Sequence, residues 1–235
     1  MMRRQRLALV LTSCIVLTVL SVWSAYRQRQ DQVAQPSPSS TAASQLASAT
    51  LAHLPIKGRA PMTGYSRSQF GSGWAAVGAC DMREYILARD LTQITFRPDD
   101  NCTVLNGLLD DPYTGEIIHF TRGPSTSQAV QIDHVVALGD AWQKGAQQLT
   151  PQTREQLYND PLELLAVDGA ANQQKGDGDA ATWLPANRAY RCRYIARQIA
   201  VKAKYHLWVT QAEHDTMEHI LSTCPTQALP VVQQR

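Results

Sequence analysis

The chain changes its apolar rhythm several times. Val130, Ile132, Val135 and Val136 form a β-like run, and a second apolar run, Leu162, Leu164, Leu165 and Val167, leads through Asp168-Gly169 into a helix start. Between them, residues 140–147 read as a helix that buries Trp142, and 151–158 as a short helix opened by Pro151. Upstream, Met82, Tyr85, Ile86 and Leu91 with charges between them predict a helix over 80–91. Residues 94–96, 103–109 and 116–122 read as strands. The last two are linked by a turn over 110–115, and this hairpin is expected to join the strand carrying Val130 and Ile132. Downstream, Tyr190, Tyr194, Ile195, Ile199 and Ala203 keep helical spacing within 187–208. A last helix over 210–221 opens on Thr210 and Glu213 spaced as a capping box. Strands and helices in this order define an α+β fold.

Composition changes the picture at the two ends. Residues 7–26 are an uncharged, mostly apolar run preceded by Arg3, Arg4 and Arg6 and followed by Arg27 and Arg29. A run of about twenty spans a bilayer once, and basic residues in front of it keep the N-terminus inside. The remainder is therefore expected to be exported: secreted after cleavage of a signal peptide near Ser24-Ala25, or held at the membrane by an uncleaved anchor. Residues 31–52 are rich in Ser, Ala, Gln, Thr and Pro without apolar periodicity and read as a disordered spacer. The expected organisation is a leader or anchor over 1–30, a spacer over 31–52, one domain over 53–225 and a tail over 226–235.

Of five cysteines, Cys14 lies in the apolar segment, which leaves Cys80, Cys102, Cys192 and Cys224. Four cysteines in an exported domain predict two disulfides. Three pairings are possible, and Cys80 with Cys102 and Cys192 with Cys224 are expected because each closes a local loop. A zinc site is disfavoured, since no CxxC pair is present.

The formal charge of +2 includes the five arginines at or before Arg29, and without them the chain is slightly acidic. Positive charge is local instead. No acid occurs between Asp179 and Glu213, a stretch that holds Arg188, Arg191, Arg193, Arg197, Lys202 and Lys204. This is the expected phosphate-backbone surface.

The candidate chemistry sits on the two apolar runs. Asp133-His134 ends the first, and Asn172 and Lys175, three apart on one helical face, follow the second. A carboxylate and an amide oxygen can hold one hard divalent cation. An imidazole can deprotonate water, and a lysine can neutralise a phosphate. His214 and His219, five apart, do not share a face as a metal pair would.

The stretches KGRAPMTGYSRSQFG, QIDHVVALGDAWQKGAQQ, LLAVDGAANQQKGDGDAATWLP and YRCRYIARQIAVKAKYHLWVT resemble the secreted actinobacterial HNH endonuclease family related to the C-terminal domain of GmrSD restriction enzymes. The likeness covers about 54–225. It implies a ββα-metal (HNH) nuclease core with an added N-terminal helix and hairpin and C-terminal helices. It implies His134 as general base, Asp133 and Asn172 as ligands of Mg²⁺ or Mn²⁺, and Lys175 near the scissile phosphate; in the acid-free stretch, Arg191 or Arg193 is expected to add phosphate support. Glu163, nine residues before Asn172, stands where such enzymes place an asparagine that braces the histidine loop. It accepts hydrogen bonds but, when ionised, cannot donate one. The likeness also implies that an arm over 57–73 packs near the site, with Arg59, Tyr65 and Arg67 available to substrate; the residues alone fit a solvated loop equally well. The expected substrate is nucleic acid, DNA first, and the expected activity falls below about pH 6 as His134 protonates. The alternative is a non-catalytic nucleic-acid-binding module of the same fold.

Overall fold

The computed structural model describes residues 45–231 of the chain. The apolar segment, most of the spacer and the last four residues lie outside them. At the centre, β6 (Val130–His134) pairs antiparallel with β7 (Leu164–Asp168), with Val130 opposite Asp168 and His134 opposite Leu164. Both strands are buried on both faces for nearly their whole length, which is why they read as near-continuous apolar runs. Helix α5 (Gly169–Lys175) follows β7 directly and packs on both strands. Asp168 caps it by accepting from the Ala171 N–H. Gly169 is required by close approach: a Cβ there would lie 2.0 Å from the Gln128 carbonyl oxygen.

The other elements surround this unit. Helix α1 (Ala47–Leu51) is followed by an arm that ends in a 3₁₀ turn, Arg67–Phe70. A two-residue pair, β1 (Ala76–Val77) and β2 (Cys80–Asp81), leads into α2 (Met82–Asp90), which Asp81 caps through the Glu84 N–H. Strands β3 (Thr92–Phe96), β4 (Val104–Asp110) and β5 (Ile117–Thr121) form an antiparallel sheet with β4 in the middle. Helices α3 (Leu138–Gln143) and α4 (Pro151–Tyr158) lie between β6 and β7 in sequence, and α6 (Arg191–Lys204) and α7 (Gln211–Ser222) close the chain.

Several expectations are met. The helix opened by Pro151, the burial of Trp142 and the capping box of Thr210 and Glu213 are all present. The disulfides are Cys80–Cys102 and Cys192–Cys224. Others are corrected. The β4–β5 hairpin does not join β6 but pairs with β3, and a 3₁₀ turn, Ser127–Ala129, lies between β5 and β6. The two sheets meet through side chains instead: Leu109 and Phe120 share a core with Val130, Ile132, Leu164 and Ala166. The helix expected over 140–147 stops at Gln143, because Gly145 takes a φ of 125° and a Cβ there would lie 3.1 Å from the Trp208 ring. The helix expected from 187 begins at Arg191, after a 3₁₀ turn capped by Asn187.

The domain also extends beyond the expected 53–225. Residues 45–52, read as spacer, carry Ala47 and Leu51 into the core that holds Tyr194, Ile195 and Met217. The supposed tail returns to meet them. The Ala47 N–H donates to the Gln227 carbonyl and the Leu229 N–H to the Gln45 carbonyl, each at 2.9 Å. Short apolar segments that bury only one or two residues carry no periodicity, so they resembled linker.

Candidate active site

His134 ends β6 and is buried. Its ring stacks on Trp74, 5.9 Å between centroids and 6° from parallel, and leans on Tyr158 at 4.6 Å. Its Nε2 lies 3.0 Å from the Tyr158 carbonyl oxygen. A carbonyl only accepts, so Nε2 carries the proton and Nδ1 keeps the lone pair. Burial, reinforced by the nearby Arg67 and Lys175 charges, pulls the imidazole pKa down to about 3. The ring is neutral near pH 7, so the acid limb expected near pH 6 does not follow from this histidine.

Asp133 precedes it, also buried, with both oxygens engaged. The Lys175 ammonium donates to Oδ1 at 2.9 Å, and the Tyr113 hydroxyl donates to Oδ2. Lys175 also donates to the His134 carbonyl at 2.8 Å. This corrects the reading of Lys175 as an open phosphate contact. It is 3 % exposed and is spent on holding the Asp133-His134 segment. Tyr113, fully buried, was hidden in sequence because it sits in a stretch that reads only as a turn. Burial beside Asp133 raises its pKa well above the ordinary value, so it stays a donor.

Asn172, on α5, donates its Nδ2 to Gln131 Oε1 at 2.9 Å. That contact orients the amide, and Oδ1 has no hydrogen-bond partner among the described residues. Asn172, Asp133 and His134 line one cleft of about 270 Å³ together with Gln131, Asp177, Tyr65 and Arg67. The arm is docked there. Arg59 pairs with Asp179 at 2.6 Å, and the Trp142 Nε1–H donates to the Thr63 carbonyl.

Glu163 does not line the cleft. It is fully buried behind the segment that follows His134. Its carbonyl accepts from the Val135 N–H at 2.9 Å and its Oε2 from the Val136 N–H at 3.1 Å. Gln198 donates to the Val135 carbonyl, so the peptide after His134 is gripped from both sides. Burial raises the Glu163 pKa well above the usual carboxylate range. As a neutral acid it gains an O–H donor, which an ionised glutamate lacks.

The basic stretch is not one surface. Lys202 is fully buried against Asp140 and Glu213, and Lys204 pairs with Asp160. Arg191 and Arg197 donate Nε–H to the carbonyls of Pro185 and Leu162, and Arg193 lies over the Tyr190 ring. Arg188 is exposed. None of Arg188, Arg191, Arg193 and Arg197 lines the His134 cleft. Among the described residues, no cluster of three or more His, Cys, Asp and Glu side chains is placed to chelate a metal. No described helix is long and apolar enough to cross a membrane.

Comparison with known proteins fits this arrangement. The family model described as the C-terminal domain of GmrSD restriction endonucleases matches residues 81–220, a span that contains β6, β7, α5, Tyr113, Tyr158 and Glu163 but not Trp74 or the arm. The chain belongs to this family. It is also 34 % identical over 209 residues, 88 % of its length, to an uncharacterized secreted protein of Arthroderma benhamiae, of which 98 % is covered. No solved structure matches.

Proposed function

We propose that this protein is an exported, metal-dependent endonuclease with a ββα-metal core formed by β6, β7 and α5. The observation that carries the reading is His134, with Nε2–H fixed to a carbonyl and the Nδ1 lone pair left without a partner among the described residues, in one cleft with Asp133 and Asn172. In the proposed reaction Nδ1 takes a proton from water, and the resulting hydroxide attacks phosphorus in line. The bond to the leaving 3′ oxygen breaks, leaving a 5′ phosphate. Trp74 and Tyr158 keep the ring from turning. Lys175 and Tyr113 hold Asp133 in register with it.

The donors suit a hard cation. Each Asp133 oxygen retains a lone pair beyond its hydrogen bond, and the Asn172 Oδ1 is free of partners among the described residues. Such oxygens fit Mg²⁺ or Mn²⁺, which keep several waters and take only one or two protein carboxylates beside substrate phosphate. Asp133 and Asn172 would hold it, and when bound it would stabilise charge developing on the phosphate. Lys175 already neutralises Asp133, which favours a weakly held ion over a permanent one.

Two disulfides and the relative's description as secreted support an extracellular setting. The test is incubation of plasmid, single-stranded DNA and RNA with Mg²⁺, Mn²⁺ or EDTA. Cleavage that needs the cation and stops in EDTA is expected. EDTA-insensitive cleavage would contradict the mechanism, and tight binding without cleavage would favour a non-catalytic module.

A further inference from the structure

With Lys175 buried against Asp133, its ammonium is not open to a phosphate in the cleft. Among the described residues, Arg67 is the only arginine or lysine lining it. Its side chain is exposed, and it forms no ion pair with any carboxylate of the described residues. Its guanidinium carbon lies 5.4 Å from the centre of the Tyr158 ring, whose backbone carbonyl holds His134. One residue thus carries both the arginine and the imidazole on its two polar faces, the ring and the carbonyl.

The backbone under Arg67 is fixed. Arg67 opens a 3₁₀ turn whose Phe70 is fully buried against Trp142. Arg154 donates to the Gln69 carbonyl at 2.8 Å from the other side. An arginine held in this way presents its fork without ordering a loop, and the fork matches two phosphate oxygens at once.

We propose that Arg67 is the phosphate-binding cation of this cleft, the role that the family resemblance implied for Lys175. It donates two N–H groups to the non-bridging oxygens of the scissile phosphate. Arg67 is therefore a catalytic residue, whereas Lys175 is a positioning residue. The inference rests on the nuclease reading, and the experiment separates the two. Binding of a short labelled DNA duplex is followed by fluorescence anisotropy in EDTA over a salt series, and single-turnover cleavage is followed separately in Mg²⁺ at saturating DNA. Arg67→Ala is expected to weaken binding about tenfold, to lower the salt slope by about one, and to slow cleavage about 100-fold or more. Arg67→Lys should keep the slope but recover only part of the rate, and added guanidinium ion should restore part of the Arg67→Ala rate. Arg97→Ala, which removes an exposed arginine paired with Asp100, is the matched control and leaves slope and rate unchanged. If the parent cuts DNA and Arg67→Ala matches it in slope and rate, the assignment of Arg67 is wrong and the nuclease reading stands. If the parent neither binds nor cuts, both fall.

Discussion

Two clusters of charge lie on the same chain and are finished differently. In the first, the Lys144 ammonium meets Asp140, Asp179 and Glu213 within 2.6–2.8 Å, and Lys202 meets Asp140 and Glu213 at 3.1 and 2.9 Å. Both lysines are fully buried, and Arg59 from the arm adds a further bond to Asp179. These carboxylates come from α3, the segment after α5, and α7, so the cluster ties the elements around the cleft into one frame. In the second, only the Asp133–Lys175 pair is completed. The His134 Nδ1, the Asn172 Oδ1 and the Asp177 carboxylate have no hydrogen-bond partner among the described residues. The same residue types serve opposite ends. Saturated, they specify where elements sit; left open, they accept water, cation and phosphate.

The largest effect should come from breaking the saturated cluster. Lys144→Met leaves three buried carboxylates with only Lys202, on Asp140 and Glu213, and Arg59, on Asp179, to balance them. It is expected to cost at least about 5 kcal/mol, near the upper end for a broken buried pair, and so to leave little folded protein. Folded, soluble protein with parental urea stability would show that the cluster is not a framework. Lys175→Met should cost somewhat less, about 3–5 kcal/mol, by leaving Asp133 buried and unpaired. The double variant Asp133→Asn/Lys175→Met should recover much of that loss, since the stranded charge is gone. Additive losses in urea unfolding would contradict direct pairing.

A more gradual effect, smaller at any one step of pH, is set by His134. The folded His134 pKa of about 3 lies below its ordinary value of 6.5. Between these values the unfolded chain binds a proton that the folded chain refuses. Stability therefore falls as pH drops below about 6.5, by about 1.4 kcal/mol per pH unit from this group, and the loss is complete near pH 3. His134→Gln should flatten that part of the urea-derived stability profile. An unchanged slope would mean that the imidazole is not held neutral by burial.

The smallest change is expected at Glu163. Its raised pKa acts in the opposite direction: stability is present below the ordinary carboxylate value and is lost as pH rises. Glu163→Gln keeps an acceptor for the Val136 N–H and a donor in place of the acid proton. It should stay within about 1 kcal/mol of the parent near pH 5, gain on it as pH rises, and keep most of the cleavage rate. Glu163→Ala should lose stability and rate together. If Glu163→Gln behaves like Glu163→Ala, the carboxylate is ionised and its bracing role is of another kind.

The contrast between clusters also explains what was legible in the sequence. The β6–β7–α5 unit shows because its strands are buried on both faces and its helix starts on Asp168-Gly169. Pro151 and the Thr210–Glu213 spacing mark helix starts through local hydrogen bonding, which local sequence records. The partners of Lys175 and Lys202 do not show. Lys202 lies in an acid-free stretch and looks like surface, yet Asp140 and Glu213 reach it from outside that stretch. Tyr113 meets Asp133 across twenty residues, from a stretch whose Asp, Pro and Gly announce only a turn. Asn172 and His134 share the cleft as the family resemblance implied, while Lys175 faces inward from the same helix. Helical spacing alone does not say which neighbour claims a charge.

The most direct test is plasmid cleavage in Mg²⁺ by the parent and by His134→Ala, each first shown to be folded by its unfolding transition. The expected result is cleavage by the parent and a loss of at least about a hundredfold in the variant. A folded His134→Ala protein that cuts at the parental rate would contradict the account.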